Sequence, residues 1–185
     1  MTEAPVSYQS NYAPSAPLSV VIMPMQLADV QHVSRLERRC YAIPWSSSAY
    51  VTEIGNPAAY YSVAKDGAGI IVGYAGMWVI MGEAHITTIA VDPESRTRKV
   101  GERLLLDLLD HGVKRRARRA SLEVREHNTP AHRLYLKFGF VDVALRKRYY
   151  SDNGENAIIM WINDLFAPPF MAMIEQRRRE LASIE

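Results

Sequence analysis

The chain has 185 residues, 48% of them hydrophobic and 23% charged, with a formal net charge of +2. That length and balance suffice for one packed domain. They exclude a globally basic nucleic-acid-binding protein, and no stretch approaches the roughly 18 consecutive apolar residues of a membrane span. The single cysteine, Cys40, cannot close an internal disulfide, and no basic segment followed by an apolar one opens the chain as an export signal does, so a cytoplasmic location is expected.

Residues 1–17 carry Pro5, Pro14 and Pro17 among serines and tyrosines without apolar periodicity, and are expected to lack fixed structure. A folded domain is expected over residues 18–165. It begins with an apolar strand, Leu18 to Met23, followed by a helix whose Leu27, Val30, Val33, Leu36 and Cys40 recur by threes and fours. Ile43-Pro44-Trp45-Ser46 interrupts that pattern, and Ser46 or Ser47 can cap a second short helix that ends near Gly55-Asn56-Pro57. Tyr60 to Ala64, Gly69 to Ile80 and Ala84 to Val91 read as three strands of a meander, parted by the turn signals Asp66-Gly67 and Gly82-Glu83. After Asp92-Pro93 comes a long helix with Val100, Leu104, Leu105, Leu108 and Leu109 on one face.

Ala120 to Arg125 is a short strand, and Thr129 to Phe138 a helix stopped by Gly139 at a left-handed cap position. Two more strands, about Val141 to Tyr150 and Asn156 to Ile162, are joined across Asp152-Asn153-Gly154. In the remaining stretch, residues 166–185, Phe170, Met173, Ile174 and Leu181 after Pro168-Pro169 suggest a C-terminal helical extension. The order is that of a mixed α/β (α+β) fold.

Two stretches carry residues suited to chemistry. The first is Ile89-Ala90-Val91-Asp92-Pro93 and then Arg96-Thr97-Arg98-Lys99-Val100-Gly101. A strand running through a short loop into a helix gathers unpaired N–H groups and the positive end of the helix dipole at one point, which suits a pyrophosphate. A basic helix start on a solvated surface explains the same residues. The second is Leu122-Glu123-Val124-Arg125, Asn128, Ala131-His132-Arg133-Leu134-Tyr135 and Phe138-Gly139-Phe140. Asn128 and Tyr135 lie two helical turns apart and share a face with Ala131 and His132. A carboxylate at Glu123 and a phenol at Tyr135 make a base and acid pair; a surface carboxylate and a core aromatic are the plain alternative.

The cluster Lys114-Arg115-Arg116-Ala117-Arg118-Arg119 ends the long helix, where cations complement the dipole. It is either a solvated helix end or a patch attracted to RNA or to an acidic partner. His85, His111, His127 and His132 make no metal-ligand spacing, so no metal is expected. Cys40, on an apolar helix face, reads as core.

Together these stretches resemble the Gcn5-related N-acetyltransferase (GNAT) superfamily. Its loop motif, Arg or Gln, two residues, Gly, one residue, Gly or Ala, is matched at Arg96 and Gly101. More narrowly, Tyr41 to Ser46, Ile89 to Pro93, Leu122 to Phe140 and Arg146 to Met160, with Tyr149-Tyr150 and Ala157-Ile158-Ile159-Met160, resemble the RimI-type ribosomal-protein-alanine N-acetyltransferases. The resemblance implies a mostly antiparallel sheet of about six or seven strands flanked by about four helices, with acetyl-CoA as cosubstrate. It implies that backbone groups of Ile89, Ala90 and Val91 pair with the acetyl and pantetheine arm. Arg96, Thr97, Arg98, Lys99, Val100, Gly101 and Glu102 would hold the pyrophosphate, with Asn128 and Tyr135 also at the cofactor.

By the same resemblance Glu123 is the general base and Tyr135 the general acid. Pro44, Trp45, Tyr149 and Tyr150 line the acceptor groove, and the acceptor is the N-terminal alanine of small-subunit ribosomal protein eighteen. Other N-termini, lysine side chains, small amines, or non-catalytic acyl-CoA binding remain alternatives. The chain departs from the motif at one place: the first loop glycine is Lys99, which keeps an N–H but adds a side chain where a ligand approaches.

Overall fold

The computed structural model of the protein describes residues 17–183; the tail expected to lack structure lies outside them except for Pro17. Seven strands form one sheet: β1 (Val20–Pro24), β2 (Ala59–Asp66), β3 (Ile71–Ile80), β4 (Glu83–Val91), β5 (Arg119–Arg125), β6 (Val141–Arg146) and β7 (Ala157–Ile162), in the order β1-β2-β3-β4-β5-β7-β6. Every neighbouring pair is antiparallel except β4 with β5. A parallel neighbour requires a crossover, and α3 (Val100–Lys114) supplies it.

Side chains alternate across the sheet and so feed two cores. On one face Leu104, Leu105, Leu108 and Leu109 of α3 pack with Ala64, Ala75, Met77, Leu122 and Phe138. On the other, Val30, Val33 and Leu36 of α1 (Val30–Cys40) and Tyr50 of α2 (Ser47–Gly55) pack with Tyr61, Val63 and Tyr74. Ser46 caps α2 by accepting the Ala49 N–H. The helix α4 (Thr129–Lys137) is closed by Gly139 at φ 85°, the left-handed position expected for it.

Three boundaries differ from the sequence expectation. The first helix is split: Leu27–Asp29 is a 3-10 turn, because the Asp29 carboxylate accepts the Gln26 N–H and pairs with Lys65 at 2.8 Å, fixing a separate start for α1. β6 ends at Arg146 rather than Tyr150, with Arg148 at φ 51° turning the chain out of the ladder. The C-terminal helix α5 (Pro168–Ala182) takes both prolines into its first turn, where their missing N–H groups are no loss. Phe170, Ile174 and Leu181 of α5 join the α3 core. No described helix is long and apolar enough to cross a membrane.

Candidate active site

β4 and β5 pair only from Glu83↔Arg119 to His85↔Ser121. Immediately beyond, β4 carries a bulge: Gly76↔Thr88 is followed by Met77↔Ile86, leaving Thr87 as an extra residue that bends the strand away. The Thr87 hydroxyl is held by Tyr61 Oη at 3.1 Å. Gly76 opposite admits the Tyr61 ring, since a Cβ there would lie 2.1 Å from it. The parting strands open a cavity of about 280 Å³ lined by residues of β4, β5, α1, the loop after α1, and α4.

Backbone direction within β4 follows from its ladder. Asp92 N–H donates to Val72 O on the β3 side, so by alternation the polar groups of Ile89 and Val91 point away from β3, into the gap. Their carbonyls are engaged there, Ile89 O by Tyr41 Oη at 3.0 Å and Val91 O by Arg96 Nε at 3.3 Å. Their N–H groups have no ladder partner in the gap among the described residues, so they are available to a carbonyl arriving there.

Asn128 and Tyr135, which share a helix face, line this one cavity together with Glu123 of β5. Glu123 is 19% exposed and stands between the His85 ring, whose Nε2 lies 3.4 Å away, and the Arg146 guanidinium at 3.7 Å. Burial holds the Tyr135 phenol well above its usual range, with Tyr41 and Tyr150 adding to the effect. Asn128 Oδ1 caps α4 by accepting the Ala131 N–H, which leaves its amide NH₂ to the cavity. His132, expected on the same face, pairs instead with Asp142 of β6 at 2.8 Å.

Of the acceptor-side residues, Trp45 and Tyr150 line the cavity; Pro44 and Tyr149 are neighbours outside its wall. Glu37 orders the first loop, accepting the Trp45 N–H at 3.1 Å and the Tyr50 hydroxyl at 2.7 Å. Burial pushes the Glu37 carboxyl up, and those two donors pull against it. Arg125 orders the second loop: its guanidinium lies 3.9 Å over the Tyr150 ring and pairs with Asp152 at 2.7 Å and Glu155 at 3.2 Å. The His127 N–H, helped by Arg125, holds Glu155 down at about 2. Cys40 is not sealed in the core as expected. It lines the cavity, half-buried, its thiol turned to Val91 O at 3.5 Å, because the last turn of α1 lies over the end of β4.

The loop expected to bind pyrophosphate is strained at two residues, Thr97 at φ 61° and Lys99 at φ 69°. Lys99 caps α3 from the left-handed region, the conformation for which glycine is favoured. Its ammonium pairs with Glu102 at 2.8 Å rather than reaching outward alone. Burial opposes ionisation of Glu102, but Lys137 and Lys99 outweigh it and hold that carboxyl below its usual range. Arg96 turns back to Val91. At Gly101 the nearest atoms to an added Cβ are 3.4 and 3.7 Å away, so protein packing alone does not demand glycine. Only close approach of a ligand to the start of α3 would demand it.

Residues 30–140 match the profile of the acetyltransferase (GNAT) family. The chain belongs to this family. It is 44% identical over 140 residues to a putative [ribosomal protein bS18]-alanine N-acetyltransferase of Bacillus subtilis, covering 75% of this chain and 91% of that one. It is 37% identical over 147 residues to the N-alpha-acetyltransferase RimI of Mycobacterium tuberculosis, covering 76% and 90%. The crystal structure of the Escherichia coli ribosomal-protein-S18-alanine N-acetyltransferase superposes with a TM-score of 0.71 at 30% identity, covering 78% of this chain and 93% of that one.

Within this GNAT chain the structure adds residues that spacing did not reveal: His85 and Arg146 beside Glu123, Glu37 and Tyr41 at the cavity wall, and Arg125 under Tyr150. Glu83 and His85, like Ser121 and Glu123, are two apart and so share a sheet face. That signal existed, but joining the two pairs required the β4–β5 register. Among the described residues no group of three or more His, Cys, Asp or Glu is placed to hold a metal ion. In the basic run, Arg115 donates to Pro57 O and Arg118 pairs with Asp164.

Proposed function

We propose that this chain transfers the acetyl group of acetyl-CoA to the N-terminal amine of the alanine that opens small-subunit ribosomal protein bS18. The observation that carries this reading is that Glu123 and Tyr135 face one cavity where β4 and β5 part. The acceptor is the one that the names of relatives of like length carry, which supports this choice.

A thioester is attacked only by a neutral amine. An α-amine has a pKa of about 7.7–8.0 and a lysine about 10.4, so near pH 7 the α-amine is more than about a hundredfold richer in free base. Glu123 accepts the proton that the amine sheds as its nitrogen bonds to the acetyl carbon. The Val91 N–H holds the carbonyl oxygen as it gains charge, the Ile89 N–H is left for the pantetheine arm, and Ala90 between them anchors the strand to β3. Tyr135, kept protonated by burial, gives its proton to the departing sulfur and regains one from solvent. The backbone from Arg96 to Glu102 receives the pyrophosphate at the start of α3. The Asn128 amide binds the pantetheine arm or a water.

Trp45 and Tyr150 flank the acceptor peptide, with Pro44 and Tyr149 at its exit. The remaining cations of the basic run, Lys114, Arg116 and Arg119, add weak attraction to ribosomal RNA, which would weaken with salt. A cytoplasmic location fits such a substrate.

Mass spectrometry of a peptide beginning with the bS18 alanine, run against an N-terminally blocked lysine peptide and a small polyamine, tests the acceptor. Acetyl on the alanine amine alone is expected, and transfer only to lysine or polyamine overturns it. Glu123→Gln should lower turnover by roughly a hundredfold or more while leaving acetyl-CoA affinity unchanged. An unchanged rate removes Glu123 as the base.

A further inference from the structure

Behind Glu123, away from the cavity, lies a chain of polar groups that the mechanism above does not use. Ser121 Oγ donates to Glu83 Oε1 at 2.6 Å, and His85 Nδ1 is 3.0 Å from the same Ser121 oxygen. The opposite ring nitrogen, Nε2, is 3.4 Å from Glu123 Oε2. Glu83 and His85 come from β4, and Ser121 and Glu123 from β5. They meet because His85↔Ser121 is the last pair before the strands part.

The hydrogen-bond directions fix the tautomer. An ionised carboxylate only accepts, so the Ser121 proton is committed to Glu83. Ser121 Oγ must then accept from His85, which places a proton on Nδ1 and leaves the Nε2 lone pair toward Glu123. Two lone pairs facing each other repel unless a proton lies between them. The pair is therefore built to hold one proton in transit. The other charged groups around the imidazole are Arg146, which reaches Glu123 from β6 at 3.7 Å, and Glu53 of α2, which accepts from the Trp78 indole that lies 6.4 Å from the His85 ring.

We propose that His85 is the proton exit of this enzyme. Resting on Glu123 as the base, the step is as follows. The amine proton, taken up by a Glu123 carboxylate oxygen, passes to His85 Nε2, giving an imidazolium and restoring the carboxylate. The charge of the ring is countered through Nδ1–H, Ser121 and the exposed Glu83 carboxylate, in the manner by which a carboxylate supports a histidine base in hydrolases. The ring, 34% exposed, then releases the Nε2 proton to water and returns to its starting tautomer. An imidazole suits this because one ring nitrogen can take up a proton while the other holds its own. The arrangement lets Glu123 be reset without passing its proton back through a cavity filled by acceptor peptide and acetyl-CoA.

Steady-state acetyl transfer to an alanine-starting peptide, followed by thiol release over many turnovers, tests this. His85→Gln keeps a hydrogen-bonding side chain but cannot carry the proton. It is expected to slow transfer by about tenfold or more with acetyl-CoA affinity unchanged. His85→Ala should fall equally and be restored by added free imidazole in proportion to its unprotonated concentration. Ser121→Ala, which leaves the ring in place, should slow transfer in the same direction. A wild-type rate in His85→Gln or Ser121→Ala, or no rescue of His85→Ala by imidazole, overturns the proposal. Glu123→Gln separates the two layers. If it is inactive while His85→Gln is normal, the exit alone is wrong; if it is fully active, the base itself is wrong.

Discussion

Lys99 is the residue at which sequence and geometry pull hardest against each other, and a pair of substitutions measures the tension. At φ 69° and ψ 1° it is left-handed, a conformation that lies roughly 1–2 kcal/mol above the right-handed one for a residue with a Cβ. Lys99→Ala keeps that strain. It loses only the pair with Glu102, a contact of the partly exposed kind worth about 0.2–1 kcal/mol, and Glu102 retains Lys137 at 2.5 Å. Lys99→Gly loses the same pair and releases the strain, against roughly 0.5–1 kcal/mol of extra chain entropy. The glycine variant should therefore be more stable than the alanine variant by about 0.5–1 kcal/mol. In a helix interior the order is reversed by about 1 kcal/mol, so the sign alone is diagnostic. Urea unfolding midpoints at constant slope give the difference, and melting temperatures should separate by about 2–4 °C per kcal/mol. An alanine variant as stable as the glycine variant would refute Lys99 as a left-handed cap. Calorimetry with acetyl-CoA on the same two proteins, which lack the ammonium equally, reads what the Cβ itself does to cofactor approach.

Tyr135→Phe should lower the single-turnover rate by about ten- to a hundredfold with acetyl-CoA affinity held; an unaltered rate would assign proton donation elsewhere. His111 stacks on Tyr60 at 3.6 Å and 6°, and burial, aided by Arg115 and Lys114, lowers it to about 4 from 6.5. The folded protein then refuses a proton that the unfolded chain accepts, so its contribution is complete above pH 6.5 and is lost as pH falls toward 4. Discounted for partial exposure, about 1–2 kcal/mol is at stake. His111→Phe keeps the stacking and should flatten that slope in urea titrations at several pH values; an unchanged slope refutes it. Gly76→Ala should destabilise by about 3 kcal/mol or more, because the added Cβ falls 2.1 Å from the buried Tyr61 ring, and a denaturation loss below about 1 kcal/mol would contradict the packing.

What was legible in the sequence was what periodicity and capping encode locally. The leucine face of α3, the Ser46 cap and the left-handed Gly139 all stand where the residues placed them. Glu123 and Tyr135 were legible as a pair only through family resemblance, because the link between a strand residue and a helix residue depends on how α4 returns over the end of β5. Contacts that cross the sheet were not legible at all. Nothing local says that Arg125 will lie over Tyr150, or that His85 will meet Ser121 and Glu123. The first helix reads as continuous in the sequence because Asp29 looks like an ordinary helical residue until Lys65, on a neighbouring strand, arrives to fix it.

The place where the cavity opens is likewise set by contacts across the sheet. A parallel pair fed by a crossover helix has no hairpin to hold its far ends together, so β4 and β5 stay joined only while β4 keeps its pitch. Thr87 breaks that pitch, and the break is fixed from behind: Tyr61 holds the Thr87 hydroxyl, and Tyr61 fits only because residue 76 has no side chain. The bend therefore belongs to the core, not to a ligand, and it is in place before acetyl-CoA arrives. Two consequences come together. The N–H groups of Ile89 and Val91 are freed for a thioester, and the last joined pair, His85 with Ser121, is left immediately behind Glu123. A substitution that straightened β4 would close the cavity and separate the base from its proton exit at once, so Gly76→Ala should lose activity even under conditions where the variant is still folded.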